Sequence, residues 1–207
     1  MDDYPRAPFL TDNEAHLDLQ TWAIVSSRAL ARTAHVLGKT DDEAHYTAKQ
    51  TAYTQALIDN FWDEDRQIFD EFYLDQDGNK QFDGHTGYLN FWPFFLNVLD
   101  VDDAKFKASY DKLVAEDSAM LTDYGVRSLS KNDPYYRLGD NYWTSPIWMN
   151  INFLIIKSLH GYALNTNVDY DLRVSIANTY HQLRTGVTDM ISNEYERTGF
   201  IWEVYDD

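Results

Sequence analysis

The sequence has no cysteine, half as many basic as acidic side chains (17 against 34), and no long apolar run. Without thiols, neither a disulfide framework nor a thiolate zinc site can form. A net charge of −17 and a pI near 4.5 repel phosphate backbones and anionic lipid, so no nucleic-acid partner and no membrane-surface role is expected. No apolar run reaches the ~18–20 residues that a membrane span needs. The longest candidate, around Ile147–Leu159, is interrupted by Asn150, Asn152 and Lys157. Met1-Asp2-Asp3-Tyr4-Pro5 has neither the basic flank nor the apolar stretch of a signal peptide. There is no Gly-rich phosphate loop, no Gly-x-Ser-x-Gly elbow and no zinc motif, and the six histidines are isolated from one another. The reading therefore expects no cofactor and no metal. What is present is an apolar fraction of 44% with 15% aromatics, which excludes intrinsic disorder despite the charge. The length suits one domain, which at this size buries roughly 70% of its unfolded surface.

Helical periodicity dominates. Thr11-Asp12-Asn13-Glu14 has the form of a capping box and opens an expected helix through Leu17, Trp22, Val25 and Ala29 to Leu37, with Gly38 as its stop. A second helix begins at Asp41-Asp42-Glu43, where acids suit the positive end of the dipole. Its Ala44, Ala48, Ala52 and Ala56 form a small-residue stripe expected to admit a neighbouring helix closely. The short link makes the two helices antiparallel neighbours. Gln67–Tyr73 alternates as one short strand, Asp75–Asn79 reads as a turn, and Gln81–Asp83 as the returning partner. Further helices are expected at Tyr88–Leu99, with Pro93 kinking it or starting a new turn, and at about Ala104–Glu116. Residues 121–146 read as a long functional loop. A helix then opens with Pro146 at its first position and is apolar nearly all round, and a last one carries Leu172, Ile176, Tyr180, Leu183 and Val187. The expected fold class is all-α: about six helices in antiparallel hairpins set side by side as a toroid of helix pairs, with a small β-hairpin insertion.

Aromatics, carboxylates and amides gather outside the helices at Asp2–Arg6, Glu14–Asp18, Tyr124–Trp148 and Gly199–Asp207. Such groups suit a sugar: pyranose C–H faces stack on Trp or Tyr, and hydroxyls pair with acids and amides. Glu14 and Asp18, four apart, are expected on one helix face, with a capping role for Glu14 as the plainer alternative. Trp143 and Trp148 read equally as core, but Asn150 and Asn152 beside them need polar partners. Asp75-x-Asp77-Gly78-Asn79 lacks the register of a calcium loop and reads as a tight turn.

Taken in order, five motifs resemble the processing α-glucosidases (mannosyl-oligosaccharide glucosidases) of glycoside hydrolase family 63. They are Met1-Asp2-Asp3-Tyr4-Pro5-Arg6, Glu14-Ala15-His16-Leu17-Asp18, Tyr124-Gly125-Val126-Arg127-Ser128-Leu129, Tyr142–Phe153 and Gly199-Phe200-Ile201-Trp202-Glu203-Val204-Tyr205. The resemblance implies an inverting exo-α-glucosidase that trims the terminal α-1,2-linked glucose of the triglucosylated N-glycan precursor in the endoplasmic reticulum lumen. It implies Asp2 as general acid and Glu203 as general base. It also implies a substrate pocket drawn from Tyr4, Arg6, Glu14, His16, Asp18, Arg127, Tyr142, Trp143, Trp148, Asn150 and Trp202. Thr144-Ser145 stand where the family's motif has Arg-Gly, which bears on the glucoside accepted. The resemblance implies an (α/α)6 toroid of twelve helices, and about six are expected here, a partial (α/α)6 toroid. Residues 1–207 are therefore expected to be a single, incomplete catalytic-domain segment with little activity alone, any membrane anchor lying outside it. Two alternatives are a related toroid hydrolase of soluble α-glucosides and a non-catalytic carbohydrate-binding remnant.

Overall fold

The computed structural model describes residues 3–8 and 12–207. Leu17–Val36 (α1) and Thr40–Asn60 (α2) form the expected antiparallel pair, joined where Gly38 takes a φ of +67° that a side chain would resist. The start of α1 differs from expectation. Thr11 lies outside the described residues, Glu14 belongs to a two-residue strand, Glu14–Ala15 (β1), and the helix opens at Leu17 after an extended His16. His16, at the N-cap position, makes no side-chain cap bond. Instead the Leu17 N–H donates to Oε1 of Glu71, 3.0 Å away and 54 residues downstream. A carboxylate arriving from elsewhere satisfies one of the orphan amides of the first turn.

The alanine stripe of α2 also departs from expectation: Ala44, Ala48 and Ala52 are exposed. The inner face carries half-buried Tyr46, Gln50 and Tyr53 and fully buried Leu57. Larger side chains fill that space, so the alanines mark the solvent side.

The run expected as one strand is two. Trp62–Asp63 (β2) pairs antiparallel with Ile68–Phe69 (β3), while Phe72–Leu74 (β4) lies between β1 and Lys80–Phe82 (β5). The break falls at Asp70 and Glu71, both buried. The turn before β5 forms as expected, with Asp75 Oδ1 accepting the Asp77 and Asn79 amides at 3.0 and 2.8 Å.

The segment expected as one helix from Tyr88 is a 3₁₀ turn, Tyr88–Phe91, passing into a short α-helix, Trp92–Phe95 (α3), with Pro93 in its first turn. Ala104–Val114 (α4) is capped by Asp103, which accepts the Lys105 amide. After a long irregular stretch come Ile147–Trp148 (β6), Met149–Leu164 (α5), Tyr170–Thr198 (α6, capped by Asp169) and Val204–Tyr205 (β7), which pairs antiparallel with β6. Pro146 therefore precedes a strand rather than opening a helix, because residues 147–148 are drawn into pairing with 204–205. Nor is α5 buried all round: Phe153 is 64% exposed. The pair α5–α6 repeats the α1–α2 arrangement, and α3 packs between α1 and α5. Phe94, Phe106 and Tyr162 pack ring to ring in the core between them, the last two with centroids 4.7 Å apart.

At Gly87 a Cβ would stand 2.3 Å from the Tyr4 hydroxyl and 2.5 Å from the Ser128 carbonyl oxygen. The backbone there is extended, so sterics alone decide. Gly87→Ala is expected to cost about 1–3 kcal/mol, read as a lower urea midpoint; an unchanged midpoint would show that this close approach is not made in solution.

Candidate active site

The N-terminal segment is pinned at three points. The Asp3 carboxylate accepts the backbone N–H groups of Tyr142 (2.8 Å) and Trp143 (2.7 Å). Tyr4 is 5% exposed and packs with Leu89 and Leu129 against the flank of Trp143. Arg6 donates to Glu71, to Asp18 Oδ2 at 3.1 Å and to His16 Nδ1 at 2.7 Å. A guanidinium has donors only, so His16 Nδ1 must be the acceptor there. Glu14 reaches His16 from the other side, 3.7 Å from Nε2. Glu14 and Asp18 thus do not share a helix face: one sits on β1 and the other on α1, and Arg6 and His16 bring them into one polar group.

A second group is aromatic. Trp143 stacks on Trp148, with centroids 3.8 Å apart and planes within 7°, and Tyr142 meets Trp148 edge-on at 4.6 Å. Trp148 is only 2% exposed, and its Nε1 donates to the Tyr142 carbonyl at 2.8 Å. Trp148 is therefore the covered support of the stack, while Tyr142, 46% exposed, faces outward. Asn150 is exposed and accepts the Ile151 amide at 2.8 Å. Asn152 is fully buried, and its partners are protein. Its Oδ1 accepts the Val126 N–H (2.8 Å), and its Nδ2 lies within 3.0 Å of Tyr88 Oη and the Val126 and Trp148 carbonyls.

The C-terminal motif joins this group through backbone. Val204 opposes Trp148 across β6–β7, and the Met149 N–H donates to the Glu203 carbonyl at 3.0 Å. Glu203 and Trp202 are exposed, and among the described residues no hydrogen bond holds the Glu203 carboxylate. Asp2 lies outside the described residues. Arg127 is buried beneath the tail, donating to the Ala119 carbonyl (2.7 Å), with its Nε 2.8 Å from Asp207 Oδ2. That last contact is an ion pair without hydrogen-bond alignment, since Nε has no bonded partner. Burial works against the charge of Asp207, but Tyr136, Arg137 and Arg127 hold its pKa below the usual carboxylate value. Beside the tail an open cleft of about 640 Å³ is lined by Tyr124, Trp202 and Tyr205, and from α6 by Asn193, Glu194 and Arg197.

Sequence reasoning missed a set of carboxylates. Glu71 is 4% exposed, and burial pushes its pKa up to about 7 against the opposing pull of Arg6. Asp70 and Asp83 share a hydrogen bond; burial first, then the charge of Asp70, raises Asp83 to about 10, and burial also raises Asp70. Asp70 and Glu71 lie among aromatics in a run that alternates like a strand, and Asp83 closes its expected partner, so none of the three stands out as a site residue. The useful signal was two adjacent acids, Asp70-Glu71, since alternation lets only one of two neighbours face water. Among the described residues no group of three or more His, Asp or Glu side chains is placed to hold a metal ion.

A titration prediction follows from the Asp70–Asp83 pair. The folded pKa of Asp83 lies above its unfolded value of 3.8, so folding takes up a proton there. The stability this gives is fully present below pH 4 and is lost as the pH rises toward about 10. Asp83→Asn should flatten that part of the decline in thermal melts from pH 4 to 10. An identical slope in variant and parent would remove the pair as its cause.

The sequence model of the glycosyl hydrolase family 63 C-terminal domain matches residues 1–207. The chain is 36% identical over 207 residues to a probable mannosyl-oligosaccharide glucosidase of Schizosaccharomyces pombe, covering 100% of this chain and 25% of that protein. It is 30% identical over 208 residues to a mannosyl-oligosaccharide glucosidase of Saccharomyces cerevisiae, covering 99% and 25%. The chain thus spans a quarter of the length of these curated relatives. Among solved structures, a GH63 mannosylglycerate hydrolase from Thermus thermophilus in complex with glucose superposes with a TM-score of 0.68 at 18% identity, over 93% of this chain and 40% of that one. The likeness establishes the fold: the helix pairs form part of an (α/α)6 toroid.

Proposed function

Since this chain belongs to glycosyl hydrolase family 63, we propose that it carries the acid and base of an inverting α-glucosidase, with Asp2 as general acid and Glu203 as general base. The substrate is the terminal α-1,2-linked glucose of the triglucosylated N-glycan precursor, met by the parent protein in the endoplasmic reticulum lumen. One observation carries the reading: three motifs far apart in sequence converge on a single pair of indoles. Asp3 grips the backbone of Tyr142 and Trp143, Trp143 stacks on Trp148, and Trp148 pairs with the strand that follows Glu203. The acid and the base each stand next in sequence to an anchor of that stack.

Asp2, protonated, would donate to the glycosidic oxygen as the bond to C1 breaks. Glu203, ionised, would take a proton from water attacking the opposite face of the sugar, and the anomeric configuration inverts. That mechanism needs the two carboxyls about 6.5–9.5 Å apart, leaving room for the water. The exposed Glu203 carboxylate has no competing partner among the described residues, which suits a base. Tyr142 and Trp143 would offer the stacking wall, with Tyr4 and the buried Trp148 behind them. Glu14, His16 and Asp18 would meet hydroxyls, and Asn150 and Trp202 would border the entrance. Arg6 and Arg127 donate to protein groups and would act by holding their segments in place.

One observation favours a relative of this activity on simpler glucosides. Where the family motif has Arg-Gly, this chain has Thr144 and Ser145, both buried and bonded to Asn141 (3.2 and 2.9 Å), and no guanidinium reaches out from that position. The test is glucose release by the full-length parent protein from a triglucosylated N-glycan and from α-linked disaccharides, with the first-formed anomer read by NMR. The β-anomer, released from the glycan in preference, is the expected result. The α-anomer would overturn inversion, and preference for disaccharides would overturn the glycan.

A further inference from the structure

The carboxylate of Glu71 meets three separate pieces of chain at once. It stands at the break between β3 and β4, and its Oε1 accepts from Arg6 of the N-terminal segment and from the backbone N–H of Leu17, the first residue of α1. Through Arg6 it also reaches His16 and Asp18. Its Oε2 is buried without a partner. We infer that Glu71 is a positioning residue: it fixes Arg6 against the entrance of α1 and so sets the segment carrying residues 3–8 against Glu14, His16 and Asp18.

The consequence for catalysis rests on the proposed function, since Asp2 lies four residues from Arg6 on the same short segment. That segment is held on its other side by Asp3 and Tyr4. Releasing Arg6 frees one end, and an acid displaced by about 1 Å can lose roughly a hundredfold in rate. Arg6 has no donor directed to a sugar in this arrangement, so the loss should fall on kcat rather than KM.

The groups facing Glu71 determine how the clasp responds to pH. Arg6 and Tyr4 approach from the N-terminal segment, His16 from the residue before α1 with Glu14 of β1 on its other nitrogen, Asp18 from α1, Asp83 from beyond β5, and Asp70 precedes it. Burial outweighs the pull of Arg6 and lifts the carboxyl from an ordinary 4.5 to about 7. Closing the clasp therefore takes up a proton. Its advantage is greatest below about pH 4.5 and declines as the pH rises to about 7, where the carboxyl has ionised. Gln at this position imitates the protonated acid, keeping an acceptor for Arg6 and Leu17 at every pH.

Glu71→Ala and Glu71→Gln, made in the full-length protein, are compared with the parent in glucose release from the triglucosylated glycan between pH 5.5 and 8.5. The Leu17 amide and Arg6 side-chain NMR resonances are followed in parallel. Ala should lower kcat roughly tenfold or more with KM within about threefold. Gln should restore most of that loss and move the alkaline inflection upward. Equal kcat in all three, or loss in Gln as deep as in Ala, would overturn the inference. The NMR arm needs no turnover: the parent's Leu17 amide should step near pH 7 and the step should vanish in both variants. A silent Leu17 amide overturns the clasp whatever the activity, whereas a parent that shows the step and releases no glucose overturns the proposed function and leaves the clasp standing.

Discussion

Glu203→Gln is expected to lower glucose release by about 10²–10⁴-fold, the range associated with loss of a general base. The substitution keeps shape and volume and removes only the capacity to take a proton. It should leave the fold intact, because residue 203 is held by its backbone, the Met149 N–H donating to its carbonyl, while its side chain is exposed. The check is a turnover assay beside a thermal melt and a glycan-binding measurement. Unchanged melting and binding with lost turnover support an enzyme with its base at 203. Full turnover in the variant would remove Glu203 from the mechanism, and binding without turnover in the parent itself would point to a carbohydrate-binding module.

The second large effect is on stability. Asn152→Leu should cost roughly 3–5 kcal/mol, about 1–3 for the orphaned Val126 N–H and about 1 for each further bond lost. The amide fills a fully buried position and ties the start of α5 to the 121–129 stretch through the Val126 backbone and the Tyr88 hydroxyl. Leucine matches the volume and satisfies none of these groups. Urea unfolding measures the loss. A cost under about 1 kcal/mol would mean that Val126 finds another partner by shifting.

The helices are legible because their cause is local. Asp41-Asp42-Glu43 opens α2 and Asp169 caps α6, and the α5–α6 and α1–α2 pairs follow from apolar spacing and short links. What escapes reading depends on distant partners. Nothing near Leu17 announces that Glu71 will take its N–H, so the local pattern points to Thr11 as the start of α1. Nothing near Pro146 announces that residues 147–148 will pair with a strand 57 residues on, so the local pattern points to a helix there. The motifs assign Arg6, His16, Asp18, Tyr142, Trp143 and Trp148 to a single pocket, and the structure sets the first three in a polar group and the last three in an aromatic one. Whether a side chain faces outward, as Tyr142 does, or supports from beneath, as Trp148 does, depends on which neighbour covers it, and spacing along the chain does not carry that information.

Asp3 bonds to amides 139 and 140 residues away, and β6 waits for β7, made some 57 residues later. On a ribosome, α1 and α2 can pair as soon as they emerge. The opening segment must stay undocked until Tyr142 and Trp143 have been made, and the stack lacks its last strand until residue 205 arrives. Closing loops of that length costs more entropy than the helix pairs require and slows the step. The region around the two indoles should therefore gain order after the helix pair α1–α2 during synthesis, and a nascent chain arrested before residue 142 should carry that pair folded with residues 3–8 still open to protease.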